Sequence, residues 1–167
     1  DGLAFWKIPG LEEVAVSQFG LISSATLTLD FSQNTHLRRM NLSGIGQVML
    51  PESDSLEFFS LRMNLNAIST DNKYPDLDLS RYSHLYKLDI DNRIGNLTLP
   101  ENSVLDSFGC MRCKPQKLVN LEKQQRLVNL SLSLPAETTQ LNLSDFSRLY
   151  SLNLDSETLQ ALKLENN

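Results

Sequence analysis

The chain has 167 residues, 41% of them hydrophobic and only 7% aromatic, so one domain with a sizeable core is expected. Twenty acidic against fifteen basic residues leave a formal charge of −5, which argues against nucleic acid as the main partner, because phosphate binding needs a basic surface. No apolar run approaches the roughly 20 residues of a membrane span, no signal peptide is visible, and no cofactor motif is expected. Two cysteines, Cys110 and Cys113, are too few for a disulfide scaffold.

In chain order, residues 1–10 come first, carrying Phe5, Trp6 and Ile8 as a predicted hydrophobic lid. A single continuous repeat domain over 11–167 then follows. One pattern (apolar, two variable, apolar, one variable, apolar) recurs seven times. Its instances are Leu11-Val14-Val16, Leu37-Met40-Leu42, Leu56-Phe59-Leu61 and Leu85-Leu88-Ile90, then Leu105-Phe108-Cys110, Leu127-Leu130-Leu132 and Leu149-Leu152-Leu154. Their first residues stand 26, 19, 29, 20, 22 and 22 positions apart.

Six of the seven motifs are preceded by an apolar-x-apolar pair whose second member lies six residues upstream. The pairs are Leu29-Phe31, Val48-Leu50, Leu77-Leu79, Leu97-Leu99, Val119-Leu121 and Leu141-Leu143, with Leu162-Leu164 opening another near the chain end. In extended backbone, residues two apart share a face. Leu88 and Ile90 therefore point inward, while Lys87, Asp89 and Asp91 point out. A single coil cannot bury its apolar residues alone, whereas stacked coils can. The fold class predicted is a leucine-rich repeat solenoid of seven coils, mainly β and right-handed, with a parallel concave sheet and short extended or 3-10 segments on the convex side.

The segments LDFSQNTHLRRMNLSG (29–44), LDLSRYSHLYKLDIDN (77–92) and NLSDFSRLYSLNLDS (142–156) carry a family resemblance. They resemble the repeat unit of short leucine-rich repeat surface proteins of Gram-negative gut bacteria, a group similar to internalin-like adhesins. The resemblance covers roughly residues 25–167. It implies an exported, secreted or cell-surface module for adhesion or recognition and names no ligand. The family's turn asparagine or cysteine, eight residues after each first Leu, is mostly replaced: the position holds Phe19, Ile45, Asn64, Arg93, Cys113, Pro135 and Glu157. Irregular turns are expected in place of an asparagine ladder. Residues 63–76 lengthen the third coil and read as a tolerated polar surface loop. The C-terminal coil shows no cap, so a partner or a further domain is expected against Leu152, Leu154 and Leu164.

Outward residues of the concave sheet form columns. One reads Glu12, Arg38, Glu57, Tyr86, Asp106, Val128, Tyr150, and the next Glu13, Arg39, Phe58, Lys87, Ser107, Asn129, Ser151. Stacking at about 4.8 Å brings Arg39, Phe58, Tyr86 and Lys87 together, with Arg62 at the edge. Exposed aromatics beside arginine have the composition of a binding hot spot for a protein or glycan. The plainer alternative is a solvated face on which Arg39 pairs with Glu57.

Cys110 and Cys113 form a CxxC, but zinc needs further ligands, and His36 and His84 lie two coils from each other and away from coil five. Buried thiols are the favoured reading, with a local disulfide as the other. No metal site, nucleophile motif or phosphate loop is found, so a non-catalytic binding function is expected; Gly44-Ile45-Gly46 reads as a turn. Asn41, Asn96, Asn129 and Asn142 begin N-x-Ser/Thr triplets that arise from the repeat itself. The alternatives to recognition are a structural spacer and an intracellular scaffold or inhibitor.

Overall fold

The computed structural model describes residues 7–18, 28–63, 74–91, 93–102 and 104–164. Two sets of strands alternate along the chain. The first set is β1 (Glu13–Ser17), β3 (Arg39–Ile45), β5 (Phe58–Met63), β7 (Lys87–Asp91), β9 (Ser107–Cys110), β11 (Asn129–Ser133) and β13 (Ser151–Asp155). The second is β2 (Thr28–Asp30), β4 (Gln47–Met49), β6 (Leu77–Asp78), β8 (Asn96–Thr98), β10 (Lys117–Val119), β12 (Gln140–Asn142) and β14 (Ala161–Lys163). The first set pairs in order as one seven-stranded parallel sheet; the second forms three short parallel sheets, β2-β4, β6-β8-β10 and β12-β14. Strands that pair are thus always two apart in chain order, and the chain coils between two walls. The result is a parallel β-solenoid of seven rungs, about six full turns, with little helix among the described residues beyond a 3-10 turn at Leu121–Lys123.

Side-chain alternation places the core. Register runs Glu13, Arg39, Phe58, Lys87, Ser107, Asn129, Ser151 on the outside, with Val14, Met40, Phe59, Leu88, Phe108, Leu130 and Leu152 inside. Met40, Phe59, Leu88 and Phe108 are wholly buried, while Val14 and Leu152 on the end rungs are half-buried. A rung is sealed only when it has neighbours on both sides.

The constant six-residue offset has a structural cause. Two successive β-turns, each advancing the chain by three residues, close between the walls: Asn34 N donates to Phe31 O (2.8 Å) and Leu37 N to Asn34 O (3.1 Å). The same pair of bonds recurs at Leu79-Tyr82-Leu85, Leu121-Gln124-Leu127 and Leu143-Phe146-Leu149. The middle residue faces inward, so Asn34, Tyr82, Gln124 and Phe146 are all buried. The polar ones tie their coil to the chain before it: Asn34 Nδ2 donates to Ile8 O (3.0 Å), Tyr82 Oη to Pro51 O (2.6 Å) and Gln124 Nε2 to Pro100 O (2.6 Å). A buried polar group without such a partner would destabilise the stack.

The Asp-x-Ser and Asn-x-Ser signatures are structural as well. Asp30, Asp78 and Asn142 each accept, through the side-chain oxygen, the backbone N–H two residues on, at 2.9, 2.9 and 3.0 Å. These bonds open the turn that follows. Hydrogen bonding from the Ser32 and Ser80 backbone holds the Asp30 and Asp78 carboxyls below the ordinary range.

Three local expectations are corrected. In β10 it is Leu118, not Val119, that pairs with Leu97 and packs on the core. The extra residue is absorbed by Asn120, whose φ of 67° is left-handed and whose Nδ2 donates to Leu99 O at 2.9 Å. At the turn position after the strands, Ile94 and Leu134 rather than Arg93 and Pro135 are buried, alongside Ile45 and Cys113. Apolar side chains thus close the core where an asparagine ladder is absent. Gly44 belongs to β3 rather than to a turn: the register shifts between Ser43 and Ile45, and Gly44 sits at φ 76° against Gln18 O, where a Cβ would collide.

Cys110 and Cys113 are wholly buried and joined by a disulfide, in place of the expected thiols. The turn between them brings their Cα atoms to 5.3 Å, within bridging range. Of the predicted lid, Ile8 is exposed, and Phe5 and Trp6 lie outside the described residues, as do residues 64–73 of the polar loop.

Candidate functional site

The outward columns of the seven-stranded sheet set the geometry of the predicted patch. Arg39, Phe58 and Lys87 occupy one column on three consecutive rungs. The half-buried Phe58 ring is held between two cations, with Arg39 Cζ 5.3 Å and Lys87 Nζ 5.6 Å from its centroid. Each such contact contributes roughly 0.5–1 kcal/mol at an exposed site. Arg39 Nη1 also donates to Tyr86 Oη at 3.5 Å. These four side chains are brought together on one face.

Arg62 stands apart from them. Its column lies at the far end of β5, where Arg62 Nε pairs with Asp91 Oδ2 at 2.9 Å. Arg112 Nε donates to the other oxygen of the same carboxylate at 2.7 Å, so one acid holds two guanidinium groups. A cleft of about 410 Å³ joins the two parts. Lys87, Asp89, Arg62 and Arg112 wall it, and the absence of a side chain at Gly109 deepens it. A Cβ at Gly109 would meet Asp89 Oδ1 at 2.7 Å.

Ion pairing differs from that of the plainer alternative, in which Arg39 meets Glu57. Glu57 shares its column with Arg38, one position along from Arg39, and accepts Arg38 Nε at 2.9 Å, which raises the Arg38 pKa. Arg39 instead reaches back one rung to Glu13 Oε1 at 3.3 Å. Both of these groups are largely exposed, so the pair stabilises little and releases readily to a ligand.

His36 and His84, two coils apart in the repeat, both line one shallow cleft of about 310 Å³, with Ser55, Arg38 and Glu57. Their Nδ1 atoms face Pro9 O (3.2 Å) and Asp54 O (3.3 Å). Among the described residues no cluster of three or more His, Cys, Asp or Glu side chains suits a metal ion. A cleft of about 610 Å³ lies along the turns that follow the sheet. Leu134 and Pro115 line it, Arg93 donates to Tyr74 Oη at 3.1 Å on one side, and Lys114 Nζ bridges to Glu157 Oε1 at 2.8 Å on the other. That bridge raises the Lys114 pKa and lowers that of Glu157. No sequence signal marks this cleft, because turn residues from five coils assemble it.

Fold and face together define a repeat protein of the parallel β-solenoid class. No protein family, curated protein or solved structure matches the chain. Among the described residues, no helix is long and apolar enough to cross a membrane.

Proposed function

We propose that the chain is a non-catalytic recognition module of the leucine-rich repeat type, exported to a bacterial cell surface, which meets a protein or glycan through its seven-stranded face. The observation that carries this reading is the Phe58 ring clamped between Arg39 and Lys87, with Tyr86 beside it and a cleft leading to Arg62. An aromatic anchor whose neighbours are already ordered has less side-chain entropy to lose on binding. Rim ion pairs such as Arg39–Glu13 cost little to exchange for a ligand's own charges. The Cys110–Cys113 disulfide supports export, because disulfides persist mainly in oxidising compartments. The bacterial surface location rests on the repeat resemblance.

The test is flow cytometry of the fluorescently labelled chain on intact epithelial cells. Phe58→Ala with Lys87→Ala is expected to weaken binding by about tenfold or more, with the chain still folded and the melting temperature lowered only by the several degrees that loss of the two ring contacts implies. Undiminished binding by that variant would remove the site. No cell binding by the unaltered chain would favour the spacer reading, and a gene without an export signal would favour the intracellular scaffold.

A further inference from the structure

A second surface lies at the edge of the seven-stranded face on coils five to seven. Val104, Arg126 and Arg148 stand immediately before the first Leu of their motifs, and Asp106, Val128 and Tyr150 immediately after it. Backbone bonds fix their stacking: Val128 N donates to Asp106 O (2.9 Å) and Tyr150 N to Val128 O (2.8 Å). Tyr150 is 90% exposed, the most open large apolar side chain among the described residues, and Val104 is 36% exposed. Val128 between them is half-buried.

The two arginines are exposed, and among the described residues neither forms an ion pair or a side-chain hydrogen bond. Arg38, Arg39, Arg62 and Arg112 each hold a carboxylate. Arg126 and Arg148 occupy equivalent turn positions on successive coils, just before β11 and β13, and like charges brought close repel. In a chain of net charge −5, two arginines at equivalent places on successive coils, neither paired with an acid, add nothing to the stability of the stack.

We propose that this surface docks an acidic polypeptide segment, independently of the Phe58 patch. The segment's carboxylates pair with Arg126 and Arg148, for which a guanidinium offers a two-pronged donor. An apolar residue between those acids covers Tyr150 and Val128. A polysulfated glycan fits less well, because the cationic strip is two residues long and is bordered by Asp106 and valines rather than by further basic groups.

The probe is a short fluorescein-labelled peptide of glutamates around a central tryptophan, with binding to the full chain read by fluorescence anisotropy. Saturable binding that weakens with salt is expected. Arg126→Glu with Arg148→Glu should weaken it by at least about tenfold, and Tyr150→Ala several-fold with the salt dependence retained. Phe58→Ala with Lys87→Ala should leave it unchanged, which separates this site from the other. These positions are exposed or half-exposed, and melting curves confirm that each variant is folded. The proposal is overturned if the unaltered chain shows no saturable binding, or if the arginine or tyrosine variants bind as well as it does. It is also overturned if heparin displaces the probe at lower concentration than unlabelled peptide does, since the surface would then take sulfated glycans.

Discussion

Leu88→Ala probes the stack at its centre. Leu88 is wholly buried in β7, in register between Phe59 and Phe108, both also wholly buried. Removing three carbons at about 0.8 kcal/mol each costs about 2.4 kcal/mol. Rigid rings on both sides cannot close the cavity, which adds about 1–2 kcal/mol and brings the loss to about 3.5–4.5 kcal/mol. Leu152 holds the equivalent place in β13 but is only half-buried, with a strand on one side. Leu152→Ala should therefore cost only about 1–2 kcal/mol. Urea unfolding followed by far-UV circular dichroism, with m-values compared, gives both losses. Equal losses at the two positions, or a loss below about 1 kcal/mol at Leu88, would refute the reasoning that stacking seals the rungs.

Other consequences concern single contacts. Burial pushes the Tyr82 hydroxyl from its ordinary 10.0 up to about 12, so the folded state favours the neutral form. That stability is complete below about pH 10 and is lost as pH rises towards 12. Melting temperature should fall across that window, and fall less in Tyr82→Phe. At neutral pH the same variant should lose about 1–3 kcal/mol by urea unfolding, because Pro51 O loses its donor. Gly44→Ala, forced into a left-handed φ against backbone, should destabilise by about 1–3 kcal/mol. Gly109→Ala meets only the movable end of Asp89 and should cost less than about 1 kcal/mol, so comparable losses from the two alanines would contradict the account of Gly44 as a left-handed residue pressed against backbone. The buried Cys110–Cys113 disulfide should resist dithiothreitol in the native chain and reduce readily in urea; mass spectrometry after alkylation distinguishes the two outcomes.

Much of the fold was legible because period-two alternation and the six-residue offset are properties of sequence. All seven strand motifs lie on the seven-stranded sheet, and the column through Arg39, Phe58 and Lys87 follows from them. Places where chain length changes locally were harder to read. The left-handed Asn120 shifts Leu118 into the place expected for Val119, and the turns shift burial to Ile94 and Leu134. The buried middle residue of each turn, such as Gln124 or Tyr82, went unseen because its partner is a carbonyl on the preceding coil. Ion pairing was not legible either. Whether Arg39 meets Glu13 or Glu57 depends on the directions of long side chains, which repeat register does not specify. The pairing of the cysteines likewise depends on a turn whose shape no repeat position dictates.

The central claim is a ladder of rungs in one register, and distances between spin labels test it most directly. Glu13→Cys would be paired in turn with Ser107→Cys, Asn129→Cys and Ser151→Cys, all in the same outward column, while the native cysteines stay bonded and unlabelled. Double electron–electron resonance should show the separations climbing by about 5 Å per rung, from about 19 to 24 to 29 Å. Separations that fail to lengthen from one coil to the next would contradict the solenoid and every surface built on it.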